Sequence, residues 1–346
     1  MKSRPRSTWG VRRHAIGLTH DHHFQFFLVI AVTAVIFGCG GCGPPANQAS
    51  RDSANKVTRA AVSAESGKTG VLLVSHGSHS AQWRKMLFDV EHDVSDRVLA
   101  TPGIDGIKSA FMEYTEPSIA TQLKAFDDEG YTQVILIPLL LTVSSHSFDD
   151  IPTIIGAKAD AKSLAMLEAE GIERYVPQAD VKITPLLDFS ALLETNLTRR
   201  VSRLTENAST EGVVLVAYGD AQYSDEWSAM LNNIGETLKA DLGIATVTHA
   251  WCGHLVAYKT KPTVDAIQQV LDQYDRAIVV PVLVAYDEMF QGKIIGGAVK
   301  EISDKNRVDY RPDSILPEPA LNDWIVSITK QTCKELDGAA RQERQR

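Results

Sequence analysis

Three residues that lie far apart in the chain have the chemistry of metal ligands and similar local surroundings. His76 follows the apolar run 71–74, Glu113 follows a second short run, and His146 follows the apolar run 134–141. Two imidazoles and one carboxylate form a borderline-hard ligand set that suits divalent Co, Ni, Fe or Zn and leaves coordination positions open. A single loop histidine is more often solvated than ligating, but three such residues after three successive runs predict a metal site.

The apolar runs alternate with segments of helical periodicity, which is the pattern of an α/β fold. Runs such as 71–74 are short and rich in β-branched residues, and this predicts strands that are buried on both faces of a parallel sheet. We predict four strand–helix pairs between residues 70 and 204, joined by right-handed crossovers in a doubly wound sheet. The carboxyl ends of such strands share one sheet edge, where open α/β folds bind ligands. The candidate ligands are therefore expected to meet there.

The segment that follows His146 has a helical pattern of its own. We predict one long helix over residues 152–170, preceded by Asp149 and Asp150. Aspartate is common just before the first turn of a helix, where its carboxylate accepts hydrogen bonds from free backbone amides. We therefore interpret both aspartates as helix-capping residues and not as groups that guide metal ions.

The whole pattern starts again at residue 212. Residues 212–220 repeat the stretch 70–78, and residues 278–283 repeat 135–140. This internal duplication predicts two tandem flavodoxin-like domains of the α/β class, each with a doubly wound parallel sheet. The first domain is expected at residues 69–207 and the second at residues 208–335.

The second copy lacks all three candidate ligands, although it keeps the apolar strands. The joint loss indicates that the ligands act as one unit in the first copy. Cys252 and His254 lie near the lost positions, and we interpret them as a buried thiol beside a loop histidine and not as a second metal site. The aligned pairs are His76 with Tyr218, Glu113 with Gly253, and His146 with Met289.

The first 43 residues have the composition of an export signal or membrane anchor. A basic leader precedes the apolar run 24–37, which at about 14 residues is shorter than a membrane span. The run ends in Ile-Phe-Gly-Cys, similar to a bacterial lipobox, which predicts lipidation of Cys39; an uncleaved signal anchor is the alternative. We expect an exported protein tethered to the membrane, on the bacterial periplasmic face or in the cell envelope. Residues 44–68 are predicted to be a flexible linker, and residues 336–346 a polar tail that frays.

The overall composition excludes several classes of protein. The 346 residues carry a net charge of −8 and show no basic patch with interleaved aromatic residues, which argues against a nucleic-acid partner. The spacing of the four cysteines fits neither a zinc site nor a disulfide framework. A Walker-type phosphate loop is also absent from the sequence.

Three motifs together resemble the class II chelatases of the CbiX type, over about residues 70 to 335 and in a double-length form. The resemblance implies insertion of a divalent metal, cobalt first and iron or nickel as options, into sirohydrochlorin or a related tetrapyrrole of cobalamin or sirohaem synthesis. It implies no cofactor or nucleotide, because the metal is itself a substrate. It assigns both metal binding and catalysis to His76, Glu113 and His146. The motifs are His76-Gly77-Ser78, Glu113 with Glu116-Pro117-Ser118, and His146 with Asp150-Ile151-Pro152.

An exported lipoprotein that binds a metal or a tetrapyrrole without turnover is the alternative from another class. The predicted export signal favours this alternative, since tetrapyrrole synthesis is usually cytoplasmic, whereas the intact ligand set favours the enzyme. His79 stands where members of the family commonly carry a basic residue after the His-Gly-Ser triplet. Under either hypothesis the cleft between the two domains is the expected seat of a large planar ligand.

Overall fold

Eight strands form two parallel sheets among residues 67–140, 146–187 and 189–344, which are the residues that the computed structural model describes. The first sheet has the strand order β2-β1-β3-β4, and the second has the equivalent order β6-β5-β7-β8. This confirms the predicted fold class of two tandem doubly wound sheets. The leader, Cys39 and most of the linker lie outside the described residues. The strands are β1 (Lys68–Ser75), β2 (Gly106–Phe111), β3 (Tyr131–Pro138), β4 (Asp180–Ile183), β5 (Glu211–Ala217), β6 (Thr246–Trp251), β7 (Arg276–Val282) and β8 (Val308–Tyr310).

The α-helices lie between and after the strands. No helix among the described residues is both long and apolar enough to cross a membrane. The helices are α1 (Ala81–Leu99), α2 (Ile119–Asp128), α3 (Ile151–Ile154), α4 (Ala161–Glu170), α5 (Phe189–Ser202), α6 (Ser224–Leu242), α7 (Lys261–Leu271), α8 (Gly296–Glu301) and α9 (Pro319–Arg344).

The strand β1 is central in its sheet, and its side chains alternate between two apolar cores. Val71 and Leu73 lie in one buried cluster, whereas Leu72 and Val74 lie in another on the opposite face. A strand that is buried on both faces needs apolar residues at every position, which explains the unbroken apolar run. Its parallel register with β2 and β3 brings the carboxyl ends of the three strands to one edge of the sheet.

The predicted long helix over residues 152–170 is wrong. The structure has a π-helical turn at His146–Asp150, then the short helix α3, and then the separate helix α4. Gly156 follows α3 with a φ of 76°, a left-handed conformation that a continuous helix cannot contain. Asp160 then starts α4 anew, because its carboxylate accepts hydrogen bonds from two backbone amides of the first turn.

The closing helix of each half packs against the other half. Helix α5 follows β4 of the first sheet but contacts α6 and β7 of the second half, and α9 follows β8 but contacts α1 and β3 of the first half. One apolar core therefore runs continuously through both halves. Helix α9 also continues to Arg344, so the expectation that residues 336–346 fray is wrong over its described part. The side chain of Leu336 packs against the shared core, which explains why the helix does not end near Cys333.

A buried arginine links helix α5 to the second half, against which this helix packs. The guanidinium of Arg200 donates to the carbonyl oxygen of Pro281 at 2.8 Å and forms an ion pair with Asp313, which lies between β8 and α9. We expect Arg200→Met to destabilise the protein by about 3 kcal/mol, because it leaves a buried carbonyl and a carboxylate without their partner. Thermal unfolding should show a midpoint lowered by about 6 to 12 °C.

The matched control for this prediction is Arg203→Met, which changes the same residue type one turn further along. Arg203 is exposed and lies just beyond α5. Its substitution should change stability by less than about 0.5 kcal/mol, as for most surface sites. Equal losses in the two variants would contradict the role assigned to Arg200.

Candidate metal centre

The structure brings all three predicted ligands together at the carboxyl edge of the first sheet. One ligand atom from each of His76, Glu113 and His146 lies within 4.8 Å of the other two. Nε2 of His76 is 3.7 Å from Oε2 of Glu113, and the imidazole rings of the two histidines are 5.0 Å apart and nearly perpendicular. Small side-chain rotations would let one divalent ion contact all three residues and keep open positions. No second group of three such side chains meets the same limit in the described part of the chain.

Backbone hydrogen bonds fix the loops that carry His76 and Glu113. Beyond the end of β1, the carbonyl oxygen of His76 accepts from the amide of Glu113 at 2.9 Å, which extends the ladder between β1 and β2 by one step. Gly77 turns the chain directly afterwards with a φ of 108°, and a Cβ atom there would overlap the backbone oxygen of Glu113. The glycine therefore lets two ligand-bearing loops approach more closely than any other residue would allow.

The π-helical turn after β3 orients His146. Its Nδ1 is 2.8 Å from Oδ2 of Asp150, four residues later, and the carboxylate of Asp150 is buried. Such a carboxylate accepts the Nδ1 proton and leaves Nε2 free for a metal ion. Both aspartates were interpreted above as helix caps, and this is wrong. Asp150 makes no side-chain capping bond to α3, and the carboxylate of Asp149 pairs with Lys158.

The two histidines have different affinities for protons. Burial is the main influence on His76 and lowers its pKa, against the opposing attraction of Glu113. Burial also disfavours the proton on His146, but the hydrogen bond to Asp150 and the charges of Glu113 and Asp150 outweigh it, so that the pKa of His146 is raised. A metal ion must displace the proton of His146 before both rings can bind it. Metal binding should therefore weaken as the pH falls through the raised pKa of His146.

We predict that Asp150→Asn changes both the strength and the pH dependence of metal binding. Loss of the carboxylate should weaken Co²⁺ binding about tenfold or more near pH 8, because the ring of His146 loses its orientation. The same change lowers the pKa of His146, since the charge that favours its proton is gone. The fall in affinity should therefore begin at a lower pH than in the wild type. Titrations with Co²⁺ between about pH 5.5 and 8 measure both effects.

Asp149→Asn serves as the control, because Asp149 is the neighbouring aspartate and contacts Lys158 and not His146. It should leave both the affinity and its pH dependence unchanged. A variant at Asp150 that binds Co²⁺ as the wild type does would exclude the orienting role.

The carboxyl edge of the second sheet faces the candidate metal centre. The hydroxyl of Ser78 donates to Oδ2 of Asp287, which begins a π-helical segment after β7, at 3.0 Å. The charge of Asp220, which follows β5, also reaches His146. The two carboxyl edges therefore face each other. We call the space between them the cleft, and its wall in the first half carries the three candidate ligands.

The wall of the cleft in the second half is aromatic. Comparison of the two copies in the sequence had pointed to Tyr218 alone among its aromatic residues. The hydroxyl of Tyr218 lies 3.4 Å from that of Tyr258 and 3.4 Å from Nδ1 of His254, and its ring packs against Phe290 at 5.5 Å. Cys252 is fully buried, and burial raises its pKa to about 12, which confirms its interpretation as a buried thiol. The exposed His254 takes part in this aromatic wall. Tyr258 could not be found from the sequence, because it is not the counterpart of any candidate ligand in the first copy.

Part of the sequence is similar to known proteins. Residues 70–204 match the model of the CbiX family. A sirohydrochlorin cobaltochelatase from Saccharolobus islandicus is 26% identical over 101 residues, which are 29% of this chain and 74% of the relative. A sirohydrochlorin cobaltochelatase from Methanococcus maripaludis is 30% identical over 86 residues, which are 25% of this chain and 57% of the relative.

Solved structures resemble the whole described region. The sirohydrochlorin chelatase SirB from Bacillus subtilis subspecies spizizenii in complex with cobalt has a TM-score of 0.55 and 16% identity, over 78% of this chain and 97% of that chain. SirB from Bacillus subtilis with Fe³⁺ has a TM-score of 0.58 and 16% identity, and the match covers 78% of this chain and 98% of that chain. At this identity the likeness concerns the fold, which is the tandem α/β fold described above. The two SirB chains and this chain therefore share the tandem α/β fold. Residues 70–204 are thus similar to the CbiX family.

Proposed function

We propose that the protein inserts a divalent metal ion into sirohydrochlorin or a related tetrapyrrole without a nucleotide, with cobalt as the first choice and iron or nickel as options. The observation that carries this proposal is the convergence of His76, Glu113 and His146 at the carboxyl edge of the first sheet, where their ligand atoms lie within 4.8 Å of one another. The relatives from Saccharolobus and Methanococcus are cobaltochelatases of sirohydrochlorin, which supports both the substrate and the metal.

The site residues supply what metal insertion requires. The ring nitrogens of a tetrapyrrole exchange two N–H protons for one divalent ion, so that two protons must leave for every ion that enters. Glu113 offsets part of the charge of the bound ion, while His76 and His146 hold it through neutral nitrogens. When the ion passes to the ring, both imidazoles become free, and each can accept one of the two protons because imidazole titrates near neutral pH. The number of histidines thus matches the number of protons.

The direct test is an absorption assay with the purified protein. Sirohydrochlorin is incubated with Co²⁺, Ni²⁺ or Fe²⁺, with and without the protein, and the spectrum of the metallated ring is followed over time. We expect faster appearance of that spectrum with protein, and fastest with Co²⁺. A rate equal to the protein-free rate for all three metals would reject the chelatase proposal.

A binding protein without turnover is the second candidate, and the export signal predicted over residues 1–43 favours it. A binding protein would show saturable binding of tetrapyrrole or metal without an increased rate of metal insertion. The same assay separates the two candidates when it is combined with a binding measurement. Release of the metallated product over many turnovers belongs to the enzyme and not to the binding protein.

We further propose that the protein is exported and tethered to the membrane through a lipid on Cys39. The support is the lipobox-like sequence Ile36-Phe37-Gly38-Cys39 after an apolar run of signal length. Intact-mass analysis of protein extracted from membranes should show a diacylated Cys39 as the first residue. Membrane-bound protein that retains Met1 would support the uncleaved anchor, and unprocessed protein in the soluble fraction would contradict both forms of tethering.

A further inference from the structure

Two exposed tyrosines, one in each half of the protein, have a left-handed backbone. Tyr114 has a φ of 65° and is 53% exposed, and Tyr258 has a φ of 56° and is 42% exposed. Among the described residues, Ala257 is the one other residue with a side chain in this conformation. A bulky side chain disfavours this conformation, because its Cβ approaches the backbone carbonyl oxygen. A tyrosine therefore persists there only where the surroundings impose it.

Neither ring packs into an apolar core, so that core packing does not offset the backbone strain. Both side chains lie outside the buried apolar clusters of the described residues and present much of their surface to solvent. By contrast, Tyr218 and Phe290 pack against the core of the second half. The stability of the fold thus does not explain why aromatic residues occupy positions 114 and 258. Strained residues of this kind are concentrated at functional sites.

The two tyrosines lie on opposite walls of the cleft that contains the candidate metal centre. Tyr114 follows β2, and its ring centroid is 5.9 Å from that of His76. Tyr258 belongs to the loop after β6, the equivalent edge strand of the second sheet, and its ring lies 6.3 Å from that of Phe290. The hydroxyl of Ser78 and the carboxylate of Asp287, which meet at 3.0 Å, join the two walls beside these rings. Each half therefore presents one aromatic ring to the space above the ligand set.

We propose that Tyr114 and Tyr258 form an aromatic pair that receives the flat conjugated face of the tetrapyrrole and positions it over His76, Glu113 and His146. This inference rests on the proposed function. Aromatic side chains interact favourably with flat π systems that stack against them or meet them edge to face. The ring of Tyr114 lies beside those of His76 and His79. Tyr258 contacts Tyr218 and Phe290. Both tyrosines are positioning residues, because neither is one of the ligands.

Tyr258→Gly is the decisive variant, because Tyr258 lies in the half that carries no metal ligand. Glycine adopts a positive φ without strain, so that this variant removes the ring and relieves the backbone together. We expect its thermal midpoint to equal or exceed that of the wild type. Its dissociation constant for metal-free sirohydrochlorin, measured by fluorescence quenching, should rise about five- to tenfold. Its affinity for Co²⁺ should not change.

Two further variants serve as controls. One distinguishes the contribution of the ring from that of the hydroxyl, and the other tests whether the loss of any exposed apolar side chain weakens binding. Tyr258→Phe keeps the ring and should retain most of the affinity for sirohydrochlorin. Leu99→Ala removes a comparably exposed apolar side chain at the far end of α1 and should leave the binding of both ligands unchanged. A purely structural role for Tyr258 would instead lower the thermal midpoint of the glycine variant.

The outcomes distinguish this inference from the proposed function. Wild-type affinity for sirohydrochlorin in the Tyr258→Gly variant would overturn the aromatic pair and leave the chelatase proposal intact. A wild type that binds sirohydrochlorin without inserting metal, together with a weakened glycine variant, would support the pair and reject the chelatase. A wild type that does not bind sirohydrochlorin would overturn both.

Discussion

Replacement of either His76 or His146 by alanine should lower the rate of metal insertion at least about a hundredfold, more than the loss of a residue that only orients a ligand. Because the proposed ion would contact both rings, either substitution would disrupt the whole ligand set. The double variant should therefore lose little more than each single variant, because residues that act as one unit are strongly non-additive. Metallation rates of the two single variants and the double variant, measured with sirohydrochlorin and Co²⁺, test this expectation.

The control for both substitutions is His254→Ala. His254 belongs to the second half and lies outside the ligand set, so that its loss should leave Co²⁺ binding intact and lower metallation far less than either substitution does. Damage as large as that of His76→Ala would show that a single site in the first half is the wrong assignment. Losses that multiply in the double variant would mean that the two histidines have independent roles. Glu113→Gln keeps the size of the side chain and removes its charge, so that it should weaken ion transfer without unfolding the protein.

Gly77→Ala should remove metal binding through the backbone and without changing a ligand. The added methyl group would overlap the carbonyl oxygen of Glu113, and the φ of 108° is itself unfavourable for alanine. The loops that carry His76 and Glu113 must then separate, which breaks the hydrogen bond between their backbones. We expect a loss of about 4 kcal/mol of unfolding free energy, because both mechanisms act together. Co²⁺ binding should be lost even at temperatures where the variant stays folded.

Gly103→Ala is the matched control for this prediction. Gly103 has a similar φ of 88°, but a methyl group there would meet no atom within 4 Å. This variant should lose about 1 to 2 kcal/mol of unfolding free energy, because alanine disfavours the left-handed backbone. It should bind Co²⁺ as the wild type does. If the two variants lost equal stability and both bound Co²⁺, the close approach of the two loops would not be needed.

The sequence was sufficient to predict where the candidate ligands meet. Each ligand follows a strand that is apolar at consecutive positions, and parallel strands must end at one edge. The prediction therefore needed only strand type and order, which local composition encodes. Helix α1 is encoded locally as well, since its buried residues Leu87, Val90, Val94 and Val98 recur at helical spacing.

The remaining features depend on contacts between distant residues. The apolar faces of α5 and α9 indicate that each helix packs against a sheet but not against which sheet. The partner of Asp150 was mistaken because a carboxylate before an apolar run resembles a helix cap, and only the π-helical turn brings it to His146. The left-handed backbone of Tyr258 also has no local signal, because tyrosine is rare in that conformation.

Because α5 packs on the second half and α9 packs on the first, the two halves are related as the subunits of a two-fold symmetric dimer would be. A pair of identical members would have ligands on both walls, and two divalent ions in one cleft would repel each other. Because both members belong to a single chain, their sequences can differ, and substitutions on one wall do not alter the other. A second ion is thereby avoided, because the wall of the second half carries Tyr218, Tyr258 and Phe290 in place of a second ligand set.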